Sequence, residues 1–461
     1  MKITFIHKIQ IIVYTLLLIL PTLSNAQWKS LGSGITNSPR DIFSISAVNE
    51  LVIWAVATDY TTGISYDFTR SVDGGVTWIS GSLPDTIGDY YPGSIFALDA
   101  QTAWVLMIKS PQQDRIKIFK TINGGITWQE QSGEFNKEGG AFAAMHFFNE
   151  NEGLGFGSPG TDIPAIDSLQ IYRTNNGGEN WERIPASSLP VPMDREGVWV
   201  YGDNRYEAKG DTLWFGTRAS RVFRTTDRGE SWQAFGTGIS GNSDSPGLAS
   251  LAFQDSRNGI ATTYLPSQAV RTTDGGETWT KIQIPAIPRA ADIEFIPGTK
   301  ASYIINEGWL TSSNTSRFLV THDQGESWKQ SSFTPAIPVI RFLSPTIGFA
   351  GGSVIGPDLG GIYKWMGSFT STKEENEKLN DLVEVFPNPV KDKLMISLSQ
   401  DFSFRNNLSF TIYDILGQKV KQFLLHSTIL NIDINDLTAG IYFFKLNDQS
   451  EVLSSGKMTK L

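Results

Sequence analysis

The stretch Ser71-Val72-Asp73-Gly74-Gly75-Val76-Thr77-Trp78 is the first of six near-copies of one motif in the 461-residue chain. Consecutive copies lie 47 to 53 residues apart. Their closing tryptophans are Trp78, Trp128, Trp181, Trp232, Trp279 and Trp328. A fixed period in this range is typical of repeat architectures, in which each repeat is one supersecondary unit. The motif therefore predicts the fold of most of the chain.

Each copy predicts a tight turn between two strands. The third position is an acid or an amide, whose side chain accepts hydrogen bonds from backbone N–H groups further along the turn. These residues are Asp73, Asn123, Asn176, Asp227, Asp274 and Asp323. The fifth position is glycine and supplies a positive φ, and the tryptophan buries its ring beside the turn. A short alternating run, such as Lys117-Ile118-Phe119-Lys120, precedes each turn and indicates a half-buried strand.

The motif closely resembles the Asp box, or BNR repeat, of sialidases, sortilin-type receptors and many secreted β-propellers. In that family the box is a structural turn at the outer edge of a propeller blade. Asn123 and Asn176 favour this structural role over metal binding or acid–base catalysis, because an amide caps a turn but does not replace a catalytic carboxylate.

The repeats predict an all-β chain with a seven-bladed β-propeller. Two further strand-like runs precede each box, so each repeat holds the four strands of one blade; in the fourth repeat the first run is Trp199-Val200. A seventh set, at 339–364, has no box. Residues 27–31 resemble the segment that follows each box, so we expect the N-terminal strand to complete the seventh blade. A six-bladed ring with a loose seventh segment is the alternative.

The two ends of the chain predict export. Residues 1–26 have the features of a secretory signal peptide: Lys2 and Lys8, a short apolar stretch, and Ala26 before the expected cleavage site. The propeller is assigned to 27–369 and a polar linker to 370–382. No apolar run in the mature chain is long enough to span a membrane.

Residues 383–461 alternate short strands with turns and predict a small β-sandwich. They strongly resemble the type A C-terminal sorting domain of the type IX secretion system. The motif residues are Pro387, Asn388, Pro389, Gly417, Gly440 and Lys457. The resemblance implies a bacterium of the Bacteroidetes group, Sec export, passage across the outer membrane through the type IX machinery, and a final position at the cell surface or outside the cell.

Composition excludes several classes of function. The chain has no cysteine, which excludes thiol chemistry and cysteine metal sites. A net charge of −9 with scattered acidic residues argues against nucleic acid or an anionic membrane as partner. The histidines show no metal-ligand spacing, so we expect no metal and no cofactor.

A binding site is expected on the face opposite the boxes, where the long loops lie. Binding residues concentrate in such loops on rigid scaffolds. These loops carry aromatic, acidic and arginine residues, among them Tyr90, Tyr91, Asp194, Arg195, Glu196 and Arg218. Such side chains suit a glycan or a surface protein, and the sequence does not name the ligand.

Catalysis has less support than binding. Sialidases carry an Arg-Ile-Pro motif ahead of the first box, whereas Arg183-Ile184-Pro185 follows the third box here. Other glycosidases need two carboxylates flanking the scissile bond, and Asp194 with Glu196 is the local candidate pair. The leading hypothesis is a non-catalytic binding module for glycan or protein. A glycoside hydrolase, sialidase-like or other, is the alternative, and a structural assembly role is third.

Overall fold

The computed structural model describes residues 27–461 except 60, 63, 85–88, 110–115, 134–140, 159–168, 194–195, 199–205, 240–246, 264–267, 286–289, 308–315, 334–335, 338, 370–382, 399–407, 415–417 and 449–450. The signal peptide and the linker predicted above thus lie outside the described residues. The chain divides into two compact units, one ending at Phe369 and the other beginning at Thr370. Within the described residues the regular elements are strands apart from one 3-10 helix, Ala186–Ser188, so the all-β prediction is confirmed.

The strands of the first unit form six sheets within the described residues. The eight-stranded sheet contains β1 (Trp28–Gly32), β2 (Arg40–Ala47), β3 (Ile53–Thr58), β4 (Asp67–Ser71), β5 (Ile79–Ser82), β27 (Val339–Ser344), β28 (Ile347–Gly356) and β29 (Leu359–Trp365). The second sheet contains β6 (Tyr90–Ala97), β7 (Ala103–Lys109), β8 (Ile116–Thr121) and β9 (Gln129–Glu130). The third contains β10 (Ser132–Gly133), β11 (Ala141–Phe147), β12 (Gly153–Ser158), β13 (Gln170–Thr174) and β14 (Asn180–Arg183).

Three more sheets each hold four consecutive antiparallel strands. One contains β15 (Tyr206–Lys209), β16 (Thr212–Gly216), β17 (Arg221–Thr225) and β18 (Gln233–Gly236). The next contains β19 (Leu248–Phe253), β20 (Gly259–Thr263), β21 (Gln268–Thr272) and β22 (Thr280–Gln283). The last contains β23 (Ala290–Phe295), β24 (Tyr303–Glu307), β25 (Ser316–Thr321) and β26 (Lys329–Phe333).

The eight-stranded sheet joins the two ends of the first unit. The N-terminal strand β1 pairs antiparallel with β29, with Trp28 opposite Trp365. Strand β2 pairs with β28, with Arg40 opposite Val354. Strand pairing of this kind removes exposed edges, which otherwise invite aggregation.

Neighbouring sheets are held together by aromatic side chains from their second strands. Trp104 stacks on Phe147 of the next sheet with ring centroids 3.8 Å apart, and Trp214 stacks on Phe253 at 4.1 Å. The Trp104 indole N–H also donates to the carbonyl oxygen of Gly177 at 2.9 Å. The ring fills the space between two sheets while its one polar group finds a partner, so tryptophan suits this position.

The second unit consists of two sheets that share one hydrophobic cluster. The first sheet contains β30 (Val383–Phe386), β31 (Lys393–Leu398) and β34 (Ile429–Asp433). The second contains β32 (Leu408–Tyr413), β33 (Lys419–Leu424), β35 (Gly440–Asp448) and β36 (Glu451–Lys460). Leu394 and Ile396 of the first sheet pack with Phe410, Phe444 and Met458 of the second. Among the described residues of the whole chain, no helix has the length and apolar character needed to cross a membrane.

Candidate functional site

The strand ends opposite the boxes form what we call the loop face, and Glu196 lies enclosed within it. Its side chain has no exposed area. Oε1 accepts hydrogen bonds from Arg221 Nε at 2.9 Å and from Thr217 Oγ1 at 2.7 Å. Oε2 accepts one from Met193 N at 2.9 Å and pairs with Arg221 Nη2. The carboxylate is therefore fully engaged in anchoring its loop to β17.

This geometry favours an anchoring role for Glu196 over acid–base catalysis, because a general acid or base must come within hydrogen-bond reach of its substrate. The other member of the candidate pair, Asp194, lies outside the described residues, as does Arg195.

Two other arginines pair with carboxylates at the same ends of other third strands. Arg40 Nε donates to Asp67 Oδ2 at 2.5 Å, and its Nη1 donates to Asp59 Oδ2 at 2.7 Å. Arg317 donates from both Nε and Nη2 to the carboxylate of Glu307, each at 2.8 Å. The Arg317–Glu307 pair is bidentate, which fixes its orientation as well as adding charge attraction. The sequence analysis missed them, because partners 10 to 27 residues apart meet only when the strands pair.

Tyr90 and Tyr91 were predicted as loop residues, and that prediction was wrong. They lie in β6 and are buried. The Tyr91 ring meets Phe43 edge-on at 6.4 Å, and Lys117 Nζ lies 5.9 Å from the Tyr90 ring. Burial of these two aromatic rings stabilises β6 where it extends toward the loop face.

The boxes form capped turns. In the first box, Ser71 Oγ accepts a hydrogen bond from Gly75 N at 2.8 Å. Asp73 Oδ1 accepts one from Thr77 N at 2.9 Å, and the Thr77 hydroxyl donates to Asp73 Oδ2 at 2.5 Å. The Thr77 hydroxyl is the largest cause that lowers the Asp73 pKa to about 2, followed by the backbone N–H. Asp73 is thus an ionised turn cap at neutral pH.

The asparagine copies make the same turn. Asn123 Oδ1 accepts from Thr127 N at 3.0 Å, and Nδ2 donates to Thr127 Oγ1 at 2.8 Å. Asn176 Oδ1 accepts from Asn180 N at 3.0 Å. The remaining copies, Asp227, Asp274 and Asp323, each accept from the backbone N–H four residues on at 2.9 Å. The acceptor oxygen, common to Asp and Asn, is what the turn uses.

The fourth box position has a positive φ as well as the fifth. It is glycine in four boxes, whereas Arg228 and Gln324 adopt φ of 56° and 57° in the other two. The sequence analysis assigned a positive φ to the fifth position alone. Arg228 is held there by ion pairs with Glu152 and Asp211.

The box tryptophans lie against neighbouring strands. Trp78 donates from its indole N–H to the carbonyl oxygen of Leu31 at 3.1 Å. Trp279 and Trp328 donate to glycine carbonyls of their own boxes at 2.9 and 3.1 Å. The rings of Trp128, Trp181 and Trp232 meet Phe68, Phe147 and Phe215, respectively, at 5.2, 5.7 and 5.5 Å.

The box turns and the turns between first and second strands share one surface, which we call the box face. The amide of the fourth box residue donates to a carbonyl of the adjacent turn in every copy: Gly74 to Leu51, Gly124 to Gln101, Gly177 to Asn151, Arg228 to Asp211, Gly275 to Arg257 and Gln324 to Ala301, at 2.8 to 3.1 Å. An open depression of about 530 Å³ lies on this face, lined by Leu98 and by residues 148–152.

An acidic cluster lies on the first strands of two sheets, with Asp292 and Glu294 on β23 and Glu207 on β15, and Arg341 of β27 lies beside it. Asp292 is buried, whereas Glu294 and Glu207 are partly exposed. Glu294 Oε2 is 3.5 Å from Arg341 Nη1, and Asp292 Oδ2 is 3.8 Å from the same nitrogen. Glu294 Oε1 also accepts from Phe342 N at 3.2 Å. Burial raises the Glu294 pKa to about 8; Arg341 opposes the rise, and Glu207 and Asp292 add to it. In the part of the chain that the structure describes, no group of three or more His, Cys, Asp or Glu residues is arranged to hold a metal ion.

Two motif residues of the second unit, Asn388 and Lys457, meet at its last strand. Asn388 Nδ2 donates to the carbonyl oxygen of Lys457 at 3.0 Å. Pro387 and Pro389 flank this asparagine and are exposed. Gly440 begins β35, and Gly417 lies outside the described residues.

Residues 384–459 match the secretion system C-terminal sorting domain. The chain therefore carries a type IX sorting tail, which indicates handling by that machinery and export to the cell surface or extracellular space.

A xyloglucanase from Paenibacillus sp is 24% identical over 287 residues, which cover 53% of this chain and 26% of that protein. The chain thus spans about a quarter of the length of this relative. Two solved structures, YCF48 from Cyanidioschyzon merolae and YCF48 bound to D1 peptide, are each 16% identical with a TM-score of 0.50. They cover 74% and 76% of this chain, and 99% of each matched chain is covered. At this identity the likeness shows the fold alone, which is β-propeller-like.

Proposed function

We propose that this protein is an exported type IX cargo whose first unit is a closed seven-bladed propeller that binds a glycan or a protein at its loop face. The six boxes are Asp-box turns in this proposal. Seven sets of strands support the blade count. The eight-stranded sheet holds two sets of four, four sheets hold one set of four each, and the third sheet holds four strands plus the short β10. Strand β1 is the fourth strand of the last set, beside β29.

The chief support for binding without catalysis is that both oxygens of the Glu196 carboxylate already accept hydrogen bonds within the protein. Its carboxylate accepts hydrogen bonds from three other residues. Asp67 and Glu307 on the same face are likewise paired with arginines. Carboxylates in such pairs position loops, whereas a glycosidase needs one carboxylate that donates a proton and a second that attacks or activates water.

The export route completes the proposal. Residues 1–26 direct Sec export, the linker 370–382 separates the two units, and residues 383–461 form a small β-sandwich that the type IX machinery of a Bacteroidetes cell handles. The paired motif residues Asn388 and Lys457 support a folded recognition surface rather than an unstructured tag.

A glycan-array screen of the mature chain, residues 27–461, tests the binding role. Saturable binding without turnover of the bound glycan is expected. Glycan turnover would contradict the non-catalytic role. If no glycan binds, the carbohydrate form of the proposal fails, and the search moves to protein partners.

A glycoside hydrolase is the second candidate, and the 24% identity to a xyloglucanase favours it. Release of reducing sugar from xyloglucan by the purified mature chain tests it directly. Activity that survives Glu196→Gln would assign the chemistry to other residues. If Glu196→Gln abolishes the activity while the fold is retained, Glu196 is a catalytic residue after all.

A further inference from the structure

The first two boxes differ from the other four at their second and sixth positions. Positions two and six are Val72 and Val76 in the first box and Ile122 and Ile126 in the second. The later boxes carry polar pairs there: Asn175 and Glu179, Thr226 and Glu230, Thr273 and Glu277, and His322 and Glu326. Val76 is 80% exposed and Ile126 is 83% exposed. Four boxes make the same turn without aliphatic residues, so the turn itself does not require them.

The glutamates at the sixth position of the last three boxes link neighbouring sheets. Glu230, Glu277 and Glu326 form ion pairs with arginines that precede the box of the neighbouring sheet, namely Arg173, Arg224 and Arg271. The corresponding arginine before the first box, Arg70, donates instead to the carbonyl oxygen of Ala100. Ile126 stands where the later boxes have a glutamate. An aliphatic side chain cannot form that ion pair between sheets, and it faces solvent instead.

The two boxes are neighbours on one surface. Arg70 directly precedes the first box, and its guanidinium fills the space where a Cβ at Gly124 of the second box would stand. Leu51, in the turn beneath the first box, and Ile79, just after it, are also about half exposed, at 51% and 52%. We call the set Leu51, Val72, Val76, Ile79, Ile122 and Ile126 the apolar patch. Exposed aliphatic residues grouped in this way mark interaction surfaces more often than single ones do.

The surroundings of the apolar patch are acidic. Boxes 71–78 and 121–128 and the turns beneath them, 48–52 and 98–102, contain no lysine or arginine. The two cations that directly precede the boxes, Arg70 and Lys120, are buried and half-buried and donate to the backbone carbonyl oxygens of Ala100 and Gly177. They contain Glu50, Asp73 and Asp99, and the nearby depression adds Glu150. Lysine and arginine side chains place an apolar stem on such a surface and a charge beside its carboxylates.

We propose that the apolar patch docks a cationic segment, rich in aliphatic residues, of another protein. The carboxylates disfavour an anionic membrane. A glycan-binding surface would offer exposed aromatic rings, whereas the patch is aliphatic and the nearby Trp78 and Trp128 are partly buried. The patch lies on the box face, so it is independent of the ligand proposed for the loop face.

The test changes the first two boxes to the pattern that the chain itself uses in the fourth. The variant Val72→Thr, Val76→Glu, Ile122→Thr, Ile126→Glu is compared with the unchanged mature chain for binding of a short peptide of alternating lysine and leucine. We expect binding at least about tenfold weaker in the variant, which is a loss of about 1.4 kcal/mol. Added glutamates do not weaken the attraction for a cationic peptide, so a loss of binding reports the aliphatic contacts.

A matched control removes equally exposed aliphatic residues elsewhere. Ile355→Thr with Leu359→Glu, in the hairpin between β28 and β29, should leave peptide binding unchanged. Equal binding to the four-site variant, equal binding of a glutamate–leucine peptide, or no binding of either peptide would overturn the proposal. Dimerisation of the unchanged chain that the four-site variant abolishes would assign the patch to a second copy and overturn it as well.

Discussion

Asn388 holds the backbone of Lys457, 69 residues later in the chain, through its side-chain amide. The same side chain accepts a hydrogen bond from Thr459 N at 2.9 Å. The neighbouring Val390 continues the contact, since its N–H donates to Thr459 O at 2.8 Å. The first and last motifs of the sorting tail are thus parts of one structure.

Replacing Asn388 by alanine should loosen the C-terminal strand. Two hydrogen bonds to the backbone are lost at an exposed site, and we expect local destabilisation of about 1 kcal/mol. Faster hydrogen exchange at the Thr459 amide measures it. Asn388→Asp keeps the acceptor and loses the donor, so its exchange rate should fall between the two. Unchanged exchange in the alanine variant would show that the amide does not hold the strand.

Two glycines of the sorting tail should respond differently to alanine. A Cβ at Gly456 would lie 2.4 Å from the Phe444 ring, whereas a Cβ at Gly440 would meet its nearest neighbour, the Tyr442 ring, at 4.0 Å. Phe444 stacks on Phe410 in the core and has little room to move. We expect Gly456→Ala to destabilise the second unit by about 1–3 kcal/mol and Gly440→Ala to change it little. Hydrogen exchange of β35 amides compares the two, and equal effects would contradict this account.

These two glycines illustrate a steric requirement that the sequence alone could not predict. The motif directed attention to Gly440, whereas the steric requirement falls on Gly456, because it depends on which ring lies across the strand pair.

The first strand of the fourth sheet was predicted at Trp199-Val200, which lies outside the described residues. The strand that pairs with β16 is Tyr206–Lys209, whose polar Glu207 and Lys209 gave no apolar signal.

Local pattern was sufficient for the all-β class and for the sorting tail, both of which are confirmed. Each depends on spacing within a short stretch, such as the eight residues of a box. The sequence could not predict that Glu196 pairs with Arg221, because the two residues are 25 positions apart and a loop residue meets the strand β17 only in the folded chain.

Replacing a box aspartate by asparagine should preserve the stability of the turn, whereas replacing it by alanine should lower it. Asp274 Oδ1 accepts from Thr278 N at 2.9 Å, and Asn123 makes the equivalent bond in its own box at 3.0 Å. We expect Asp274→Asn to stay within about 0.5 kcal/mol of the unchanged chain and Asp274→Ala to cost about 1–2 kcal/mol, by analogy with the loss of a helix cap. Denaturant unfolding followed by tryptophan fluorescence reports the first unit alone, because all 13 tryptophans lie in it. Equal losses in both variants would assign the carboxylate a role beyond capping.

Removal of the Glu196 carboxylate should destabilise the first unit strongly. Glu196→Ala leaves Arg221 largely buried without its anion, and breaking a buried pair in this way costs about 3 kcal/mol or more. The matched control is Glu230→Ala, which breaks a pair with Arg173 that is exposed on both sides and should cost less than about 1 kcal/mol. Tryptophan-monitored unfolding compares the two. A Glu196 loss no larger than that of the control would contradict the anchoring role.

Glu294 should make the first unit less stable as the pH rises. Its folded pKa of about 8 lies above the ordinary value of 4.5, so between these values the folded chain holds a proton that the unfolded chain has released. The free energy of unfolding therefore falls with rising pH across this window, by at most about 1.4 kcal/mol per pH unit, and the full loss is present above pH 8. Glu294→Gln keeps an acceptor for Phe342 N and removes the ionisation, so its unfolding free energy should vary less between pH 5 and 8. An unaltered slope in Glu294→Gln would mean that the carboxyl is already ionised in the folded chain, with Arg341 outweighing the effect of burial.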